Sequence, residues 1–192
     1  MDAFDSVLYF LITTLFNLIS LVLWARLFIN YFAINRLQQL VQGVYQLTDP
    51  LVMPIQRHVF SRYGVNSSYD FSCLTVLIIC ELLRFSLVNI IFLQNILPFT
   101  YILLYVFIHM LIQSCNILFY AIVIRAVISW VNPGWQHPMV YILLAITEPI
   151  LNPLRKLITP IAGGIDFSII IVLIGLKAVE LFASRLLPYP LF

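Results

Sequence analysis

The chain has 192 residues, 62% of them hydrophobic and 9% charged, with ten Lys/Arg, eight Asp/Glu and a formal net charge of +2. An ordinary soluble domain carries about 25% charged residues. The mean hydropathy of +1.03 therefore leaves too little polar surface for a water-facing body, and most of the exterior must meet lipid. No run of like charges suggests a nucleic-acid partner. Cys73, Cys80 and Cys115 stand far apart in apolar runs, without a CxxC or a histidine at metal-ligand spacing, so they read as buried apolar side chains and no cofactor is expected.

Four apolar stretches are long enough to cross a hydrocarbon core of about 30 Å at about 1.5 Å per residue. The first runs from about residue 7 to 33, the second from 71 to 97, the third from 99 to 131 and the fourth from 167 to 187. The start, MDAFDSV, is acidic and leads straight into the first stretch, unlike a cleavable signal peptide.

Sliding the chain over itself by 99 positions aligns Asn17 with Asn116, Arg26 with Arg125, and TDPLVMPIQR at 48–57 with TEPILNPLRK at 147–156. With three fewer residues in the second loop, Asp70-Phe71-Ser72 meets Asp166-Phe167-Ser168 at an offset of 96. The expected architecture is an all-α membrane protein with four transmembrane helices from two parallel two-helix repeats, residues 1–98 and 99–192. The connections inside the repeats hold Arg36, Arg57, Arg62, Arg155 and Lys156, whereas the amino terminus and the 94–100 linker hold no Lys or Arg. Those connections are expected in the cytoplasm, with both chain ends on the periplasmic side of a bacterial inner membrane.

In the first connection Leu37, Leu40, Val41, Val44 and Leu47 fall at helical spacing opposite Gln38, Gln39, Gln42 and Gln46, the pattern of an amphipathic helix lying in the membrane plane. The second begins at Pro138 and repeats the apolar face as Met139, Val140, Leu143 and Ile146. Thr48-Asp49-Pro50 and Thr147-Glu148-Pro149 are expected to break each in-plane helix from a next short one, because proline cannot extend the preceding helix cleanly. Asp70 and Asp166, each just before an apolar run, are expected to be N-caps.

Arg125-x-x-x-Ser129-Trp130, then Thr147-Glu148-Pro149-x-x-x-Pro153-x-Arg155, then Gly164-x-Asp166-Phe167-Ser168, resembles the repeat of the YggT family of bacterial membrane proteins. The resemblance covers nearly the whole chain in the two-copy, four-helix form. The first copy departs from it with Asn30-Tyr31 for Ser-Trp and Gln56 at the first basic position, and in the second Ile169 stands where the family usually shows proline. The resemblance implies a role in the response to osmotic and envelope stress, with potassium homeostasis as one route. It also implies kinship with plastid and Gram-positive proteins linked to cytochrome b assembly, nucleoid distribution and cell-division clusters.

Among the ionisable residues, Arg26 and Arg125 each follow a stretch already long enough to cross, so they read as anchors near the cytoplasmic boundary that extend to lipid phosphates, with a ligand or gating role as the alternative. Arg57, Arg62, Arg155 and Lys156 would add a basic rim for anionic head groups. Glu81, Arg84, Lys177 and Glu180 lie about 15–20 Å into their helices by helix rise. They should be paired. At i, i+3 each helix can pair internally, but the 96 offset places Glu81 over Lys177 and Arg84 over Glu180, and a four-charge cluster joining the second and fourth helices is expected, serving either as glue or as a proton or cation route. His58, His109 and His137 read as packing or interface residues, and Tyr31, Tyr63, Tyr69, Trp130, Trp135 and Tyr189 as aromatic belts.

No Gly-rich phosphate loop, nucleophile elbow or paired-carboxylate arrangement stands in a water-exposed segment, so an enzyme is not expected. The two readings left are a membrane-embedded interaction or assembly factor and a component of a potassium or proton channel or transporter. Expected partners are anionic lipids and either a protein or a second copy of the chain.

Overall fold

A computed structural model describes residues 3–34, 39–58, 70–93, 98–132, 134–135, 137–157 and 166–186. The elements are α1 (Ala3–Tyr31), α2 (Gln39–His58), α3 (Phe71–Val88) with a π-helical turn at Asn89–Leu93, α4 (Phe99–Val131), α5 (Pro138–Leu157) and α6 (Phe167–Arg185), and the described residues contain no strand. Phe4–Tyr31, Phe71–Ile91, Thr100–Val131 and Phe167–Arg185 are long and apolar enough to cross a membrane. They coincide with the four stretches read from the sequence; the linker residues 94–97, Arg36, Leu37, Gln38, Arg62, Tyr63, Tyr69, Gly164, Leu187 and Tyr189 lie outside the described residues.

α1 stops in a Schellman arrangement. Ile34 N–H reaches back to Ile29 C=O at 3.0 Å and Ala33 N–H to Asn30 C=O at 3.1 Å, with Ala33 in the left-handed region at φ 49°. Its inward stripe of Ser20, Leu23, Arg26 and Ile29 packs with a stripe on α3 of Cys73, Val76, Leu77, Cys80, Glu81 and Arg84. The small Ser and Cys side chains on both stripes let the backbones approach, as helices in lipid require. Cys73 donates to Leu23 C=O at 3.5 Å, and all three cysteines are free and buried.

α2 and α5 correct one expectation: neither breaks at its Thr-acid-Pro sequence. Each runs on as one 20-residue helix with two prolines inside, Pro50 and Pro54 in α2 and Pro149 and Pro153 in α5. A proline withholds one N–H from the carbonyl four residues earlier. Because each pair is itself spaced by four, both missing bonds fall on one helix face and the other face can keep its ladder. Thr48 and Thr147, expected to accept from the amides of a new helix, instead donate back to Val44 C=O at 2.8 Å and Leu143 C=O at 2.6 Å. Only part of each predicted apolar face packs inward: Val41, Leu143 and Ile146 are buried, while Leu40, Leu47 and Met139 are exposed.

Two compact units divide inside α4, Met1–Phe107 and Ile108–Phe192. The first turns of α4 pack with the first unit, where the Tyr105 and Phe85 rings meet at a tilt of 36° with centroids 4.0 Å apart. In the second unit Ile122 of α4, Leu151 of α5 and Val172 of α6 form a buried core flanked by Ile150, Leu154, Ile169, Leu173 and Leu176.

Candidate functional site: an arginine clamp and a deep ion pair

Arg26 sits in the last turns of α1, where α2 and the start of α3 converge. Its side chain is only 5% exposed. Nε donates to Asp70 Oδ2 at 3.0 Å, and Nη1 donates to Asp49 Oδ1 at 2.7 Å and Thr48 Oγ1 at 2.8 Å. The guanidinium also lies over the Tyr45 ring, 4.5 Å from its centroid. Asp70 uses its other oxygen to cap α3, accepting from Cys73 N–H at 3.0 Å. One planar cation thus ties three helices together, and the capping carboxylate is shared between helix and clamp. Nε and Nη1 are committed to protein acceptors, with which a lipid phosphate would have to compete.

The second unit builds the same corner differently. Arg125 Nη1 donates to Thr147 Oγ1 at 2.7 Å, but its contact with the half-exposed Glu148 is long, at 3.6 Å. Asp166 caps α6 through Ser168 N–H at 3.1 Å and is held by Arg155 Nε at 2.6 Å. Position 155 corresponds to Gln56 under the 99 offset, so the cation that takes the capping aspartate in the second unit has no counterpart in the first, where Arg26 does both jobs. Burial pushes the Asp166 carboxyl up, yet the Arg155 hydrogen bond and charge, together with Ser168, outweigh it and leave the group below its ordinary value of 3.8. A depressed pKa in the folded state contributes stability above the ordinary value, and that contribution disappears as pH falls through the folded one. In detergent, acidification from pH 5 to 3 should lower the unfolding midpoint of the wild type more than that of Asp166→Asn, which keeps a capping oxygen but has no charge to lose. Equal slopes would refute this account.

The deep charges pair inside each unit. Glu81 is 1% exposed; Ser20 Oγ donates to it at 2.8 Å and Arg84 Nη1 lies 3.5 Å away, while Arg84 also donates to Asn17 Oδ1 at 2.9 Å. In the second unit Lys177 Nζ donates to Glu180 Oε2 at 2.6 Å and Asn116 Oδ1 at 3.0 Å, and lies over the Phe119 ring at 4.7 Å. The sign order along the helix is reversed between α3 and α6, yet the cation meets the aligned asparagine in both. Asn17 and Asn116 carry no charge, so the ionisable residues alone do not point to them, and their alignment under the 99 offset is the signal that does.

Of the basic rim, Arg57 and Lys156 are exposed and Arg155 is half-buried. Arg57 and His58 stand at the end of a groove of about 630 Å³ along α2, lined also by Gln46, Asp49, Pro50, Met53 and Pro54. Tyr31, Trp130 and Trp135 are exposed near helix ends, His109 is buried, and His58 Nδ1 is 2.7 Å from Pro54 C=O.

The CCB3/YggT family profile matches residues 6–91 and 96–187. Among relatives, the YggT protein of Escherichia coli K12 is 26% identical over 183 residues, 95% of this chain and 92% of that one. A Vibrio alginolyticus protein named for its place in the proC 3′ region is 29% identical over 169 residues, 88% of each chain. A Haemophilus influenzae protein is 25% identical over 178 residues, 92% of this chain and 91% of its own. No solved structure matches. With matches that span both halves and nearly every element described above, the chain belongs to the CCB3/YggT family.

Proposed function

We propose that this protein is a membrane-embedded interaction or assembly factor of the bacterial inner membrane that acts in osmotic and envelope stress and catalyses no reaction of its own. In this reading the two sequence repeats, residues 1–98 and 99–192, are parallel: each crosses twice, so both enter from the periplasmic side. α2 and α5 lie in the cytoplasmic interface as docking platforms for a protein partner and for anionic head groups. The observation that supports this reading is the Arg26 clamp, which fixes α2 against two membrane-spanning helices while the groove with Asp49, Met53, Arg57 and His58 stays open. A rigid support presenting an open polar and apolar face suits recognition.

The decisive experiment has two arms. Purified protein in liposomes should give no potassium or proton flux above empty vesicles. In a strain deprived of its own family member, the wild type should restore growth after hyperosmotic shift, whereas Met53→Glu combined with Arg57→Glu should not, at equal membrane abundance. Flux that Glu81→Gln abolishes would overturn the reading in favour of a transporter, and full complementation by the groove variant would remove α2 as the platform.

A further inference from the structure

We infer that α6 is a self-association helix: two copies of this chain pair in the membrane along a seam of Phe167, Ile170, Ile174, Lys177 and Leu181, with Lys177 and Glu180 closing a four-charge ring between them. The seam residues recur at alternating spacings of three and four, the period of a helix pair that supercoils left-handedly. All five are exposed, Ile174 and Leu181 by 64% and 63%. An apolar exposed face alone would suit lipid. What lipid does not suit is the charge in the middle of it.

Lys177 lies about 15 Å into α6 by helix rise, with its side chain 43% exposed and that of Glu180 26% exposed. Asn116 and Phe119 cover one flank of the pair and leave the other bare. The corresponding pair in the first unit shows the covered state: Glu81 and Arg84 are buried with Ser20 and Asn17 against them. A charged side chain facing acyl chains is strongly disfavoured, so the bare flank needs an occupant with matching charges at the same depth.

A second α6 meets that requirement. About a two-fold axis along the membrane normal, parallel helices bring like residues to equal depth. Lys177 of one copy then lies within one turn, about 4.5 Å of rise, of Glu180 of the other. The alternating charges neutralise one another, and a single polar position in an otherwise apolar seam fixes the register.

The test uses the full chain in phosphatidylethanolamine–phosphatidylglycerol vesicles. Single cysteines at Ile170, Ile174 and Leu181 on the seam, and at Val179 and Phe182 off it, are oxidised with copper phenanthroline, with wild type reporting the three buried native thiols. Seam positions should form disulfide dimers at least ten-fold faster than the other two. Fluorescently tagged wild type should bleach in two steps; Lys177→Glu should shift the dimer to monomer by ten-fold or more in protein-to-lipid ratio, and adding Glu180→Lys should restore it. Single-step bleaching of the wild type, cross-linking that peaks at Val179 or Phe182, or indifference of the dimer to Lys177→Glu would each overturn the proposal.

Discussion

Replacing Arg26 with glutamine should cost about 3–5 kcal/mol of stability, the range for removing one partner from a buried ion pair. The loss is large because the substitution strands Asp70 and Asp49 together. Asp70 is 14% exposed and Asp49 30%, and both now depend on a guanidinium that is itself almost fully enclosed. The first observable should be increased amide exchange in α2, which Arg26 holds through Thr48 and Asp49, followed by fraying of the first turn of α3. Arg26→Lys should recover only part of the loss, since one ammonium cannot reproduce the fork that reaches Asp70 through Nε and Asp49 through Nη1.

Arg125→Gln should be milder, about 1.5–2 kcal/mol, the scale of one charge-assisted hydrogen bond. What it removes is the bond to Thr147 and a 3.6 Å contact with an exposed Glu148, while Asp166 keeps Arg155. Two further variants separate this account from a simple difference in packing. Asp70→Asn added to Arg26→Gln should return part of the stability, because it neutralises an orphaned charge. Gln56→Arg should make the first unit less dependent on Arg26, by supplying the cation that the second unit places at position 155. Thermal midpoints in detergent, read by loss of the monodisperse chromatographic peak, measure all five variants. Equal losses for Arg26→Gln and Arg125→Gln would refute the asymmetry.

That asymmetry marks where the sequence stops being readable. Periodicity carries the helices and their spans because lipid imposes one length and one kind of surface, and Asp70 and Asp166 as caps follow from position alone. The Arg26 clamp does not follow, because it depends on three segments far apart in the chain meeting at one corner; a snorkelling arginine and an enclosed one have the same local sequence. The Thr-acid-Pro turns mislead for a related reason. Local propensity favours a break, but tertiary contacts from Arg26 and Arg125 hold Thr48 and Thr147 in helical geometry. Gln56 is visible as a departure from the repeat, yet its consequence, a capping aspartate handed to a different arginine, depends on the tertiary fold.

Arg84→Leu should be as damaging as the loss of Arg26, again about 3–5 kcal/mol, for a different physical reason. Glu81 lies about 15 Å along α3 by helix rise, 1% exposed, and the loss of Arg84 takes away the cation 3.5 Å from its carboxylate. Ser20 supplies one hydrogen bond, which cannot replace a charge in so poor a dielectric. The pair is nevertheless costly in itself, because both ions were taken out of water to form it. Glu81→Leu combined with Arg84→Met removes both and fills similar volume, so the double variant should be at least as stable as wild type and exceed Arg84→Leu by several kcal/mol. If that double variant also complements under hyperosmotic stress, the pair is a fastening between α1 and α3. If it folds to wild-type stability and fails to complement, the charges themselves are used, and the search for what they bind moves to Asn17, Ser20 and the ions or protons that could reach them.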